Sequence, residues 1–305
     1  MPVLILLLVP FQLGPPVFHG DSRLASCEPA CVAPAQEVGT ALAAAAALPG
    51  EPDAREIMRQ ATARYEASRK AANSYTFIER EEEREMDDKG KVKSVESHTW
   101  DVTRLEGQPY RRLIAKNDKP LSPAEEKKEQ ERLDKSLKED EQDRAKRRER
   151  AAKGREERRK FFQEIQDAYD FRRLADDTLD GRPMYVLEGT PRAGFQPKSR
   201  EASILPKLHG KLWIDKQELA WVKAEIEVTD TISFGLFLVR VNKGTHMNFV
   251  ATRVNDEVWL PKSSSMQGSA RLAVFKKYNG LVETTWRDYK KFQTETKIVT
   301  TGEVK

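Results

Sequence analysis

GKLWIDKQELAWVKAEIEVTDTISFGLFLVRVNKGTHMNFVATRV, residues 210–254, decides the fold class. Between Leu219 and Val228 apolar and charged side chains alternate: Ala220, Val222, Ala224, Ile226 and Val228 share one face, and Lys223, Glu225 and Glu227 the other. That period of two belongs to a strand with one dry face. Upstream, Leu212 and Ile214 share a face, and the polar Asp215 to Glu218 forms a short turn, so the two strands are antiparallel neighbours. From Ile232 to Val241 alternation gives way to a continuous apolar run. This predicts one strand covered on both sides, with Ile232, Phe234, Leu236 and Leu238 opposite Phe237, Val239 and Val241.

Working outward, turn residues recur about every ten positions, the spacing of one continuous antiparallel sheet. Asn242-Lys243-Gly244 and Asn255-Asp256-Glu257 follow the central stretch, and Asn279-Gly280 matches a type I′ hairpin turn. Upstream, Asp87-Asp88-Lys89-Gly90 joins two β-rich runs at 74–86 and 91–107, and a third run follows at 108–118. Asp180-Gly181 precedes a strand in which Met184 and Val186 oppose Tyr185 and Leu187, and 190–206 reads as a loop. Residues 51–73 read as an amphipathic helix, with Pro52 and Asp53 at its start and Ile57, Met58 and Ala61 on one stripe.

Ser122 to Lys160 interrupts this pattern with a segment that is overwhelmingly charged. Ser122-Pro123-Ala124-Glu125 is a well-formed helix start, with capping serine, proline at the first helical position and glutamate three residues on. A helix polar all round is a solvated arm or an electrostatic contact for a partner. Its basic second half suits an envelope protein or an anionic membrane surface. Phe161, Phe162, Ile165 and Tyr169 then restore an apolar stripe that docks the arm's end on the body.

Charged residues make up 33% of the chain, which is more than a single compact globule carries throughout. The arm accounts for the surplus. A net charge of +4 over 305 residues, without a basic patch interleaved with aromatics, argues against a nucleic-acid partner. Residues 1–50 form a signal segment and an Ala/Pro-rich tether: the apolar run from Val3 to Leu13 is too short to span a bilayer and fits the core of a secretory signal. The two cysteines, Cys27 and Cys31, both fall there. Leu24-Ala25-Ser26-Cys27 resembles the box at which bacterial lipoproteins are lipidated, so Cys27 is a candidate lipidation site, while removal of both cysteines with the signal is the alternative. Residues 51–305 then form one domain, with 121–160 inserted between strands.

Catalytic constellations are not evident. His19, His98, His209 and His246 are scattered without metal-ligand spacing, and no phosphate-cradling loop or nucleophile elbow occurs, so the reading is a non-enzyme with neither metal nor cofactor. The sheet instead carries surplus large apolar side chains. A cleft lined by Leu212, Ile214, Val222, Ile226, Phe234, Leu236, Met247 and Phe249 is the candidate site for a lipid or an acyl chain.

The order of parts, with SYTF opening the charged meander, Gly210-Lys211-Leu212-Trp213-Ile214-Asp215 in mid-sheet, VWLPKSSSMQGSARLAVFKKYNG and TTWRDYKKF, resembles the periplasmic outer-membrane lipoprotein-sorting proteins of the LolA/LolB type. The resemblance covers roughly 53–120 and 171–297. It implies an α+β fold, an antiparallel half-open β-barrel capped by helices, here with a long charged helical insertion. It also implies a periplasmic protein that carries acyl chains without enzymatic activity, and lipidation of Cys27 would anchor it at the outer membrane. Two functions remain: an exported binder or carrier of hydrophobic ligands in the cell envelope, and an envelope-anchored structural or sensory module that works through the arm.

Overall fold

A computed structural model describes residues 52–105, 108–234, 239–272 and 276–292. The signal and tether segment, the candidate lipidation site Cys27, Leu236 and Phe237 lie outside these residues.

The described chain begins with helix α1 (Ala54–Ala72), capped by the Asp53 carboxylate, which accepts from the Glu56 amide at 2.8 Å. Four strands follow: β1 (Tyr75–Met86), β2 (Val92–Leu105), β3 (Gln108–Lys116) and the short β4 (Lys119–Pro120). Helices α2 (Pro123–Leu137) and α3 (Glu141–Ala168) come next, and then β5 (Tyr169–Arg173), β6 (Asp177–Leu179) and β7 (Arg182–Pro191). A 3-10 helix (Glu201–Lys207) leads into β8 (Leu208–Asp215), β9 (Trp221–Val228), β10 (Ile232–Phe234) and β11 (Val239–Val241). The described chain ends with β12 (His246–Val254), β13 (Val258–Leu272) and β14 (Lys276–Lys291).

All the strands join one antiparallel sheet in the order β4-β3-β2-β1-β14-β13-β12-β9-β8-β7-β5, with β6 paired to β7 and the β10–β11 hairpin attached to β13. The order is linear, so the sheet is not closed. Its two ends, β4 and β5, are the strands that α2 and α3 connect. The charged arm therefore runs from one edge of the sheet to the other, and α3 alone, at 28 residues, is about 42 Å long.

Local chemistry explains both helix starts. At α2, Ser122 and Glu125 form the reciprocal capping box, and Pro123 sits in the first turn. No side chain of α2 is buried, yet the helix is tied to the sheet edge: the Leu113 amide donates to Glu129 at 3.1 Å, Lys116 pairs with Glu125 at 2.8 Å, and Arg132 donates to the Arg111 carbonyl. Asp140 caps α3 by accepting from the Asp143 amide at 2.8 Å.

Four expectations need correction. The apolar run 232–241 is two strands, because β10 and β11 pair antiparallel with Ile232 opposite Val241. Asn279-Gly280 lies inside β14 and forms no turn: Gly280 faces Gly268 on β13 and Glu85 on β1. A Cβ on Gly280 would sit 2.3 Å from the Arg84 carbonyl oxygen and 2.7 Å from the Tyr278 hydroxyl, so clearance selects the glycine here. The 190–206 stretch holds the end of β7 and most of the 3-10 helix. Finally, the β8–β9 ladder skips a residue between Lys223 and Trp221, and this bulge turns Val222 to the opposite face from Ile226.

Each face of the sheet has its own core. On one, Ile57, Met58 and Ala61 of α1 and Phe161 and Phe162 of α3 pack against Tyr185, Leu187, Ile214 and Trp221. On the other, Leu174, Met184, Val186, Trp213 and Val222 form a smaller cluster, and the Lys223 ammonium sits 4.1 Å from the centre of the Trp213 ring. At the strand ends, fully buried Asp215 accepts from Arg182 at 2.6 and 3.0 Å and from the amides of Gln217 and Glu218 at 3.0 and 2.7 Å. One carboxylate thus closes the β8–β9 turn and anchors the start of β7. Replacing it leaves two turn amides without their acceptor and Arg182 with only the 3.5 Å contact to Glu218, so Asp215→Ala should lower stability by about 3 kcal/mol. Urea denaturation measures this, and an unchanged midpoint contradicts it.

Candidate ligand-binding site

The helix side of the sheet carries the site. Its floor comes from strand register: Gly189 faces Gly210, Gly210 faces Ile226, and Ile226 faces Met247. The two facing glycines let their neighbours close in: the rings of Tyr169 and Phe171 lie 3.3 and 3.2 Å from where a Gly189 Cβ would stand, and the Glu225 carbonyl oxygen lies 2.7 Å from where a Gly210 Cβ would stand. Over that floor lie Phe161, Phe162 and Ile165 of α3 and Ile204 of the 3-10 helix. The space left between floor and cover is a cavity of about 80 Å³. A second cavity of about 50 Å³ lies between α1 and β12–β13, lined by Tyr65, Arg69, Phe249 and Trp259 among others.

Trp221 lines both cavities. Its ring centre is 5.3 Å from that of Phe162 in an edge-on contact and 5.9 Å from that of Tyr65, while Tyr65 and Phe162 lie 4.2 Å apart. This aromatic trio divides what would otherwise be one continuous space.

Polar groups hold the cover in place. The Glu164 carboxylate, 5% exposed, accepts from the Lys198 amide at 2.7 Å and ties α3 to the loop before the 3-10 helix. The Arg192 amide donates to the Ala168 carbonyl at 2.8 Å, closing the helix C-terminus. Tyr169 donates its hydroxyl to the Leu205 carbonyl at 2.7 Å, and burial pushes that hydroxyl's pKa up, so it stays a neutral donor.

The residues named from sequence separate. Leu212, Ile226 and Met247 line the larger cavity. Ile214 is fully buried beneath the helices, and Phe249 lines the smaller cavity. Val222 packs on the opposite face, and Phe234 lies on β10. The cover was seen in sequence only as the stripe Phe161, Phe162, Ile165 and Tyr169, without its relation to the cleft. Ile204 and Leu205 were missed in a stretch whose Pro, Gly and Arg content suggested a loop; the apolar ILPKL pattern was the available signal. Among the described residues no group of three or more His, Cys, Asp and Glu could hold a metal, and no helix is long and apolar enough to cross a membrane.

Trp221→Ala removes the partition, so it should join the two cavities and raise binding of the neutral apolar dye N-phenyl-1-naphthylamine at least several-fold, while costing about 3–5 kcal/mol of stability. Dye titration beside thermal unfolding measures both; unchanged dye binding in the folded variant contradicts the partition.

No family model and no curated protein sequence matches the chain. Its structure is similar to an outer membrane lipoprotein-sorting protein domain from Vibrio parahaemolyticus, at 12% identity and a TM-score of 0.35, over 79% of this chain and 95% of that one. It is also similar to a LolA superfamily protein from Nitrosomonas europaea, at 11% identity and a TM-score of 0.29, over 80% and 95%. A third likeness is to the MucA/MucB complex of Pseudomonas aeruginosa, at 10% identity and a TM-score of 0.25, over 77% and 93%.

Proposed function

We propose that this protein is an exported binder of hydrophobic ligands in the cell envelope, which takes an acyl chain of a lipid or lipoprotein between its helices and its sheet and carries it through the periplasm. The observation behind this reading is the apolar cavity between sheet and helix, with Gly189 and Gly210 below and Phe161, Phe162 and Ile165 above. The sheet is then a half-open barrel, and α3 is the part that closes it.

Volume sets the mechanism. Ligand sites usually enclose about 300–1,000 Å³, several times the two cavities of about 80 and 50 Å³. Entry of a chain therefore requires the end of α3 to leave the sheet. Exposing three large apolar side chains costs about 5–9 kcal/mol, and each ligand methylene buried in their place returns about 0.8 kcal/mol. The balance turns favourable near ten methylenes.

Chain length is accordingly the test. Palmitic acid should displace N-phenyl-1-naphthylamine from the purified protein, and octanoic acid should fail to do so at concentrations below its micelle threshold. Equal competition by the two acids, or no binding of dye and no lipid in a solvent extract of the protein, contradicts the reading.

A second reading rests on the arm. From Glu141 to Lys160, α3 carries ten basic against five acidic side chains, and Arg150 and Arg155 are exposed. An anionic surface, of a membrane or an envelope protein, would pair with this stretch. Arg150→Glu with Arg155→Glu should then weaken co-sedimentation with phosphatidylglycerol vesicles at least fivefold without changing fatty-acid binding. Unaltered co-sedimentation, or none by the unsubstituted protein, counts against a membrane role for the arm.

A further inference from the structure

Strand β3 is an open edge for most of its length. β2 pairs with it from Gln108 to Lys116, but on its other side β4 takes only Ala115 and Lys116. The backbone groups that point outward belong to alternate residues, Pro109, Arg111 and Leu113. Proline at the first of these removes an N–H that the ladder with β2 does not use.

A helix fills the place of the missing strand. Glu125, Glu129 and Arg132 are spaced by four and three residues and form one stripe of α2. In turn they meet the Lys116 ammonium at 2.8 Å, the Leu113 amide at 3.1 Å and the Arg111 carbonyl. Helix numbers rise as strand numbers fall, so α2 runs antiparallel along β3, and its side chains supply the acceptor and the donor that another strand would bring.

This cover is held loosely. α2 buries no side chain, and its fifteen residues are about the length below which a lone helix does not persist in water. Arg132 lies over the Tyr110 ring at 5.0 Å from its centre, yet the Tyr110 hydroxyl is buried without a hydrogen-bond partner, which costs stability as long as α2 stays in place. Ile114, next to the outward Leu113 amide, is exposed even with α2 docked.

The charge on the strand says what fits there. β3 reads QPYRRLIAK, with Arg111, Arg112 and Lys116 and no acidic residue. The carboxylates of Glu125 and Glu129 come to it from α2. A second copy of β3 laid on the same edge would set arginine against arginine, an unfavourable cross-strand pairing.

We propose that β3 is a docking edge for an extended acidic segment of a partner protein, which adds to the sheet as a further strand when α2 lifts away. Main-chain bonds to Arg111 and Leu113 set its register, its carboxylates replace those of Glu125 and Glu129, and apolar side chains between them cover Ile114. The edge lines neither apolar cavity, so this docking is independent of the hydrophobic-ligand reading.

The test uses the full chain and two fluorescently labelled peptides, TEVEVET and its charge-reversed counterpart TKVKVKT. Glu129→Ala with Arg132→Ala removes the contacts that α2 makes to the strand backbone and should tighten binding of the acidic peptide about tenfold. The basic peptide should bind more weakly to both proteins. Adding Leu113→Pro deletes one outward N–H, leaves the bonds to β2 in place and should abolish the gain. Equal binding of the two peptides, or no gain in a folded variant, makes α2 a permanent edge cap and overturns the proposal. Dimerisation of the variant in place of peptide binding gives the edge to a second copy and overturns it as well. Hydrogen exchange of the unsubstituted protein decides the matter whether or not the variants fold. The amides of α2 and of Leu113 should exchange about a hundredfold faster than those of β1 and β2, and equal protection would mean that α2 does not leave.

Discussion

Phe162 stands between Tyr65 of α1 and Trp221 of β9, and this three-ring contact is what makes an open sheet into a closed molecule. Without it the floor formed by Gly189, Gly210, Ile226 and Met247 faces water, and exposed apolar surface of that extent is not stable in a free protein. The contact is placed by topology. Because α2 and α3 connect the two edge strands, the helix that leaves the β4 edge must cross the helix side of the sheet to reach β5. One helix is therefore charged and solvated over its first twenty residues and carries an apolar stripe, Phe161, Phe162 and Ile165, over its last eight. A force on the charged part acts on the cover through a continuous hydrogen-bonded rod.

The rest of the sheet keeps that contact in register. Asp215 holds the β8–β9 turn against β7, and the bulge just beyond it turns Trp221 toward the helices while Val222 goes to the other side. Glu218 in the same turn accepts from Trp259 Nε1 at 2.7 Å and pairs with Arg253 at 2.9 Å, linking the turn to β12 and β13. The end of the sheet that carries the apolar site is thus fixed by a polar network built on the buried Asp215. The cover is held by Glu164 with the Lys198 amide, the Arg192 amide with the Ala168 carbonyl, and the Tyr169 hydroxyl with the Leu205 carbonyl.

Much of this was legible in sequence. Asp-Gly and Asn-Asp steps marked real turns: Asp180 and Gly181 have φ of 50° and 76°, and Asn255 and Asp256 have 51° and 53°, the left-handed values those residues tolerate. The same logic failed at Asn279-Gly280, where the glycine answers to clearance beside the Arg84 carbonyl. Alternation identified β9 but assigned Val222 to the wrong side, since one extra residue in a strand inverts every parity argument beyond it. A continuous apolar run at 232–241 carried no sign of the reversal between β10 and β11. The arm's composition showed that water surrounds it. It could not show that its two ends are the two edges of the sheet, because edge positions follow from long-range pairing.

The central claim is that ligand and the end of α3 compete for the same apolar floor. Amide hydrogen exchange in the presence and absence of palmitic acid tests it most directly. Ligand should speed exchange of the amides from Phe161 to Ala168 while β7 and β8 keep their protection. Saturating ligand that leaves the protection of 161–168 unchanged would contradict it.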